Sequence, residues 1–212
     1  MRIAMLGTGV VGQALGSGLI GLGHEVMMGS RDAGNEKARG WAKEAGAKAS
    51  VGTFADAARF GEIAVLATLW SGTESALRMA GPDNLRGKIV VDATNPLDFS
   101  QGNPRLAVGF TDSGGEQVQR WLPGARVVKA FNTIGSHLMV HPKLPGGPPS
   151  MFVASDDEEG KRTVLDISKQ LGLDPVDSGG LEASRYLEPI CMLWVEYGFR
   201  TNEWGHAFKL LR

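Results

Sequence analysis

Residues 2–12 constrain this chain more than any other stretch. Arg2-Ile3-Ala4-Met5-Leu6 reads as a short buried strand, and Gly7-Thr8-Gly9-Val10-Val11-Gly12 follows it without a break. Ala14, Leu15, Leu19 and Ile20 then recur at helical spacing up to Gly21-Leu22-Gly23. Strand, G-x-G-x-x-G turn and helix in immediate succession are the context in which this motif marks a dinucleotide site. Gly7 permits the tight turn, Gly9 leaves room for a pyrophosphate against the backbone, and Gly12 lets the helix pack closely on the strand. The helix start then offers unpaired N–H groups and the positive end of its dipole to the phosphates. Gly9 is a further candidate for a positive φ.

Which dinucleotide binds is decided at the end of the second strand, His24-Glu25-Val26-Met27-Met28, which runs into Gly29-Ser30-Arg31-Asp32. An NAD site places a carboxylate there for the ribose hydroxyls, whereas an NADP site needs a cation and small donors for the 2′-phosphate. Ser30 and Arg31 stand at that place, which predicts NADP. Arg31 can grip a phosphate in a bidentate way, with Ser30 adding a hydroxyl. Lys37 or Arg39 could add charge from the following helix. Asp32 competes, because a turn displaced by one residue makes it a ribose acceptor.

The 212 residues, 42% of them hydrophobic, suit one compact domain with a sizeable core. A formal net charge of −1 gives no basic face for nucleic acid and no general attraction to an acidic membrane. No apolar run approaches the length of a membrane span. Met1 leads straight into a core strand, which leaves no room for a signal peptide. The lone Cys191, in an apolar helical stretch, predicts a core residue and a reducing, cytoplasmic setting.

The remaining chain alternates strands and helices. A helix is expected over 35–44, a short strand over 47–51, and a helix capped by Thr53 or Asp56. A buried strand over 63–68 follows, then a helix to Met79 capped by Ser71 or Thr73. Strands are expected over 88–94 and 125–131, separated by a polar loop from Asp98 to Gly115 and a helix over 116–122. Beyond the loop at 144–149 come a strand at 150–154, a helix opened by Asp156-Asp157, and a last edge strand at 174–177. A long helix over 181–199 closes the series, broken or bent near Pro189. This predicts a doubly wound, mostly parallel α/β sheet with a small C-terminal helical extension. Residues 1–149 form the dinucleotide-binding core, and residues 150–212 a small lobe of the same compact unit.

Ligands of such sheets bind beyond the carboxyl ends of the strands. Those ends carry Gly7-Thr8-Gly9, Gly29-Ser30-Arg31, Thr68-Leu69-Trp70, Asn95-Pro96-Leu97 and Asn132-Thr133-Ile134. The set holds no His-Asp pair, no Ser-His pair and no pair of acids, so no catalytic residue is singled out. His137 and His141 share a helical spacing, but Pro142 follows and no Glu accompanies them, and no metal site is expected. A rim without acid or base suits hydride transfer between two cofactor rings held face to face. Leu69, Trp70, Pro96 and Ile134 would form the apolar wall, with Trp70 equally readable as packing. Asn95, Asn132 and Thr133 could orient the nicotinamide amide.

G-T-G-V-V-G, the G-S-R after the second strand, V-V-K-A-F-N-T-I, D-S-G-G-L-E-A-S-R-Y-L-E and the closing G-H-A-F-K-L-L together resemble the NADPH-dependent oxidoreductases of the deazaflavin coenzyme F420. The likeness runs the length of the chain. V-K-A-F-N-T-I is also similar to the NADPH-binding domain of membrane ferric reductases. The resemblance implies a Rossmann fold and hydride transfer between NADP(H) and a deazaflavin, with a flavin such as FMN as the other acceptor. It places Thr8, Ser30 and Arg31 on the 2′-phosphate, Thr68-Leu69-Trp70 and Asn95-Pro96 along the nicotinamide, and Asn132 near the second ring. Two alternatives remain: direct reduction of a small carbonyl or imine, and an NADPH-binding sensor without turnover. Leu187, Ile190, Met192, Leu193, Trp194 and Tyr197 predict a helix face that builds a homodimer or, failing that, packs as core.

Overall fold

The computed structural model describes residues 1–211. Strands and helices alternate through β1 (Arg2–Leu6), α1 (Val10–Gly21), β2 (Glu25–Ser30), α2 (Glu36–Ala45), β3 (Ala49–Thr53), α3 (Phe54–Phe60), β4 (Ile63–Leu66), α4 (Trp70–Ala80) and β5 (Ile89–Asp92). A hairpin of β6 (Leu97–Asp98) and β7 (Arg105–Leu106), then α5 (Gly114–Trp121) and β8 (Arg126–Lys129), complete the main unit. Six parallel strands stand in the order β3-β2-β1-β4-β5-β8. The chain reverses direction across the sheet between β1 and β4, and that switch point opens a crevice at their carboxyl ends.

Alternation along β1 explains the two cores. Ile3 and Met5 join Val65, Val91 and the apolar sides of α1 and α2 on one face. Ala4 and Leu6 join Leu66, Val90 and the inner sides of α3, α4 and α5 on the other. Successive strand residues point to opposite faces, so a strand covered on both sides reads as an unbroken apolar run. Every residue of β4 and β5 is buried.

Several local expectations change in three dimensions. Thr53 and Asp56 act together as a capping box, each side chain serving the other's backbone N–H. Neither Ser71 nor Thr73 caps α4. The helix begins at Trp70, and Thr73 Oγ1 donates to Leu69 O at 3.1 Å from inside the first turn. The segment read as a plain loop contains the β6–β7 hairpin, and α5 starts earlier, with Ser113 accepting from Glu116 N.

The last third departs further. β9 (Ser150–Val153), α6 (Glu158–Gln170) and β10 (Asp174–Asp177) form a separate two-stranded parallel sheet. It touches the main sheet through a single antiparallel bridge, Lys129 to Ala154. β9 meets the end of β8 running the other way, so β10 extends the small sheet rather than the large one. The final helix, α7 (Ser184–Thr201), runs through Pro189 without a break. The proline forfeits only the bond its missing N–H would make, while buried Leu187, Glu188 and Cys191 hold the helix on either side. Among the described residues, no helix is long and apolar enough to cross a membrane.

Candidate functional site

The three motif glycines do three different things. Gly7 has φ 132°, and a Cβ there would collide with the Ala67 carbonyl oxygen. At Gly12 a Cβ would come within 2.5 Å of Gly7 O, so α1 can lie on the turn only without a side chain. Gly9 is the residue before the helix, with φ −74° and ψ 176°, which any residue adopts. The expected positive φ is therefore absent, because the turn's reversal is completed at Gly7. A Cβ on Gly9 would meet nothing within 4 Å, so the space before it is open. No side chain caps α1, and its first-turn N–H groups are left for an anion. Gln13 Nε2 donates to Thr8 O at 3.0 Å and fixes the turn from behind.

At the end of β2, Ser30 is buried and its hydroxyl donates to Asp32 O. Asp32 Oδ1 accepts from Gly34 N at 2.8 Å, which ties this carboxylate into its own turn. Arg31 stands exposed beside it, and Lys37 and Arg39 are exposed on α2. A short polar side chain bonding two residues ahead is the usual way such a turn is held. Both Arg31 and Asp32 are exposed at this turn, with Asp32 Oδ1 bound to Gly34 N and Arg31 presented outward.

Across the rim, Asn95 and Asn132 form a reciprocal pair. Asn95 Nδ2 donates to Asn132 O at 2.9 Å, and Asn132 Nδ2 donates to Asn95 Oδ1 at 3.0 Å and to Leu187 O at 3.0 Å. The pair ties the loops after β5 and β8 to α7. Thr68 Oγ1 and Thr73 Oγ1 lie 2.9 Å apart at the start of α4. Thr133 is buried.

Beside this pair opens a mainly apolar cavity of about 370 Å³, bounded by Val11, Asn95, Phe131, Ile134, Trp194 and Trp204. Phe131 holds φ 62° at its edge, a conformation that a bulky residue adopts only under constraint from its surroundings. The expected wall is thus only partly assembled. Ile134 lines the cavity, whereas Leu69 is 76% exposed outside it. Trp70 packs against Trp121 with ring centres 5.4 Å apart and takes its place with the core under α5. Cys191 lines the cavity too, but burial pushes its thiol up to about 12, so it is no nucleophile at neutral pH. His137 and His141 are exposed, and among the described residues no three His, Cys, Asp or Glu converge as a metal site.

Comparison with known proteins narrows this geometry. Residues 2–96 match the profile of a family described as NADP oxidoreductase, coenzyme F420-dependent. The F420-dependent NADP reductase of Methanothermobacter marburgensis is 32% identical over 95% of this chain and 94% of its own. The chain belongs to this family. A crystal structure from Arthrobacter sp. FB24 that carries a provisional F420-dependent NADP reductase name is 40% identical. It superposes with a TM-score of 0.94 over the whole of both chains. The rat metalloreductase STEAP3 is 31% identical over 89% of this chain, which spans 36% of that protein.

In this member of the F420-dependent oxidoreductases, one group of residues behind the rim is only partly legible in the sequence. Lys129 is fully buried, and its Nζ lies 2.9 Å from Asp92 Oδ2 and 2.8 Å from Glu188 Oε1. It also donates to Thr94 O at 2.8 Å. Burial alone would lower the lysine's proton affinity, but Asp92 and Glu188 together hold it above the ordinary value. The lysine is therefore a fixed cation, and not a proton donor to the rim. Glu188 also accepts from Gly114 N at 2.9 Å and Gly115 N at 3.0 Å, so it closes the start of α5. The paired positions of Asp92 and Lys129 follow once V-V-D and V-V-K are aligned as neighbouring strands. Glu188 comes from α7, and no local pattern announces it.

Proposed function

We propose that this protein transfers a hydride between NADP(H) and coenzyme F420, with a flavin such as FMN as the alternative acceptor. The observation that carries this is the uncapped start of α1, with open space before Gly9 and a ring-sized cavity bordered by Val11 of the same helix. The free amides and dipole of α1 would hold the pyrophosphate beside Gly7, Thr8, Gly9, Val10, Val11 and Gly12. Arg31 would hold the 2′-phosphate, with Ser30 beside it at the turn that its hydroxyl closes on Asp32 O and with Asp32 Oδ1 accepting from Gly34 N. Thr68, Leu69, Trp70, Asn95 and Pro96 would flank the nicotinamide, with Asn132 and Thr133 near the second ring. The two rings supply the redox chemistry when bound. The chain binds, orients and excludes water, which is what direct hydride transfer requires of it.

Stopped-flow oxidation of NADPH with F420, with FMN and with neither tests the proposal. Turnover with one of the first two supports it; tight NADPH binding without turnover would make the protein a sensor instead. Arg31→Glu is expected to weaken NADPH binding by about tenfold to a hundredfold while NADH binding stays level or improves. Titration calorimetry with both nucleotides checks this, and an unchanged NADPH affinity would place the 2′-phosphate elsewhere.

We also infer a homodimer working in the cytoplasm, the latter supported by a free, buried thiol. The α7 face differs from the expected stripe. Leu187 and Cys191 are core, and the Trp194 indole N–H bonds His206 O at 2.8 Å. The exposed apolar groups on that helix are Tyr186 at 70%, Leu193 at 60%, Phe199 at 57% and Tyr197 at 39%, of which Tyr186, Leu193 and Tyr197 share one side by their spacing. Leu193→Glu is expected to give a monomer with unchanged NADPH affinity. Light scattering showing a monomeric wild type at about micromolar concentration would end this inference and leave the face as ordinary surface.

A further inference from the structure

The Trp194–Trp204 side of the cavity is held by the C-terminal tail. Past α7 the chain folds back, with Ser150 N donating to Phe208 O at 3.0 Å and Leu210 N to Ser150 Oγ at 3.0 Å. Trp204 lies against Gly198, where a Cβ would come within 2.5 Å of its ring. The His206 ring stacks on Trp194 with centres 4.9 Å apart and planes at 23°, and meets Tyr197 at 4.5 Å. Its two nitrogens face two carbonyl oxygens. Nδ1 is 2.9 Å from Glu203 O and Nε2 is 3.0 Å from Trp194 O. A carbonyl only accepts, and a neutral imidazole has one N–H, so one contact would set lone pair against lone pair. The doubly protonated ring donates in both directions, with its charge over an indole face.

We infer that His206 is a positioning residue: as an imidazolium it staples the tail to α7 and so holds the Trp194–Trp204 wall of the cavity. The identity of the ring that fills the cavity rests on the proposed function; the staple does not. The charged groups around the ring come from three elements. Glu203 precedes it in the tail, and Arg200 of α7 lies over the Tyr197 ring at 5.5 Å. Beyond Trp194, the rings of His137 and Trp194 both lie 2.8 Å from where a Gly135 Cβ would be. Lys209 is turned away to Pro148 O. Loss of a proton removes one of the two donors, so the tail is held best when both ring nitrogens carry a proton and loosens when one is lost. Affinity for the second ring follows the tail. NADPH affinity, set by α1 and the end of β2, does not.

The test uses the full-length protein. Nitrogen-15 spectra of the histidine rings should show both His206 nitrogens protonated at about pH 6. The KM for F420 or FMN should rise about fivefold between about pH 6 and pH 8 in the wild type, the effect of one hydrogen bond. His206→Phe keeps the stack and loses both donors; its KM should be high and flat with pH, with NADPH affinity within about twofold of wild type. A neutral, single-tautomer His206 in the docked tail would overturn the inference, as would a His206→Phe variant with wild-type KM and pH dependence. If that variant fails to fold, the wild-type spectrum decides. If neither F420 nor FMN is turned over, the proposed function falls, and the spectrum still decides the staple.

Discussion

Gly9→Val is expected to abolish NADP binding while leaving the ligand-free protein nearly as stable as the wild type. The backbone at Gly9 is ordinary, and its Cβ direction is empty. A side chain there starts into open space, the space that the pyrophosphate would need. Two charge-assisted bonds from the helix start are worth on the order of 1.5–3 kcal/mol each, so affinity should fall by at least about a hundredfold. Loss of a good helix-starting residue costs only about 1 kcal/mol. Gly7→Ala and Gly12→Ala behave differently, because their new methyl groups strike Ala67 O and Gly7 O. Those two should lose several kcal/mol of stability together with binding. Scanning and titration calorimetry on all three variants separate the cases. A Gly9→Val protein that melts as early as Gly12→Ala would show that Gly9 serves the fold rather than the ligand.

Lys129→Met is expected to destabilise the protein by about 3–5 kcal/mol, because it leaves two buried carboxylates facing each other without a cation. For a domain of this size that lowers the melting temperature by roughly 6–20 °C. Asp92→Asn should cost less, since Lys129 keeps Glu188 and Thr94 O as partners. The direction of the lysine shift fixes the pH behaviour. A raised folded value means the contribution is complete below the unfolded lysine range and fades only as strongly alkaline solution approaches the folded value. Urea unfolding at neutral pH checks the magnitude, and a loss below about 1 kcal/mol would reduce the cluster to a bystander. Function should suffer beyond stability, since Lys129 fixes Thr94 beside Asn95 and Glu188 fixes α7 beside Leu187, the carbonyl that Asn132 bonds.

Much of the nucleotide half is legible before folding because its signals are local. A buried parallel strand has to be apolar throughout, and a turn with no room for a Cβ has to be glycine, so the run from Arg2 to Gly12 states both. The end of β2 is legible for the same reason: Ser30, Arg31 and Asp32 are consecutive, and the turn they form is held by bonds two residues long. The second half is harder. Trp70 is equally apolar whether it faces a ligand or Trp121, and its contact with Trp121 depends on the packing of α4 on α5, which no local pattern records. The apolar residues of α7 share a helix, but Leu187 lies in the core, Trp194 meets the tail and Leu193 faces solvent.

The sequence by itself determined the alternation of strands and helices in the main sheet, the doubly wound class, the glycine turn and the cationic end of β2, all properties of neighbouring residues. The tertiary structure decided what depends on distant residues meeting. It closed Lys129 between Asp92 and Glu188, paired Asn95 with Asn132, put β10 on a sheet of its own, and folded the tail so that His206 stands between two carbonyls. Local chemistry is written in spacing. A buried charge, a shared amide pair or a cavity wall exists only when loop closure brings together groups that the sequence holds up to about a hundred residues apart, and no period or motif records that.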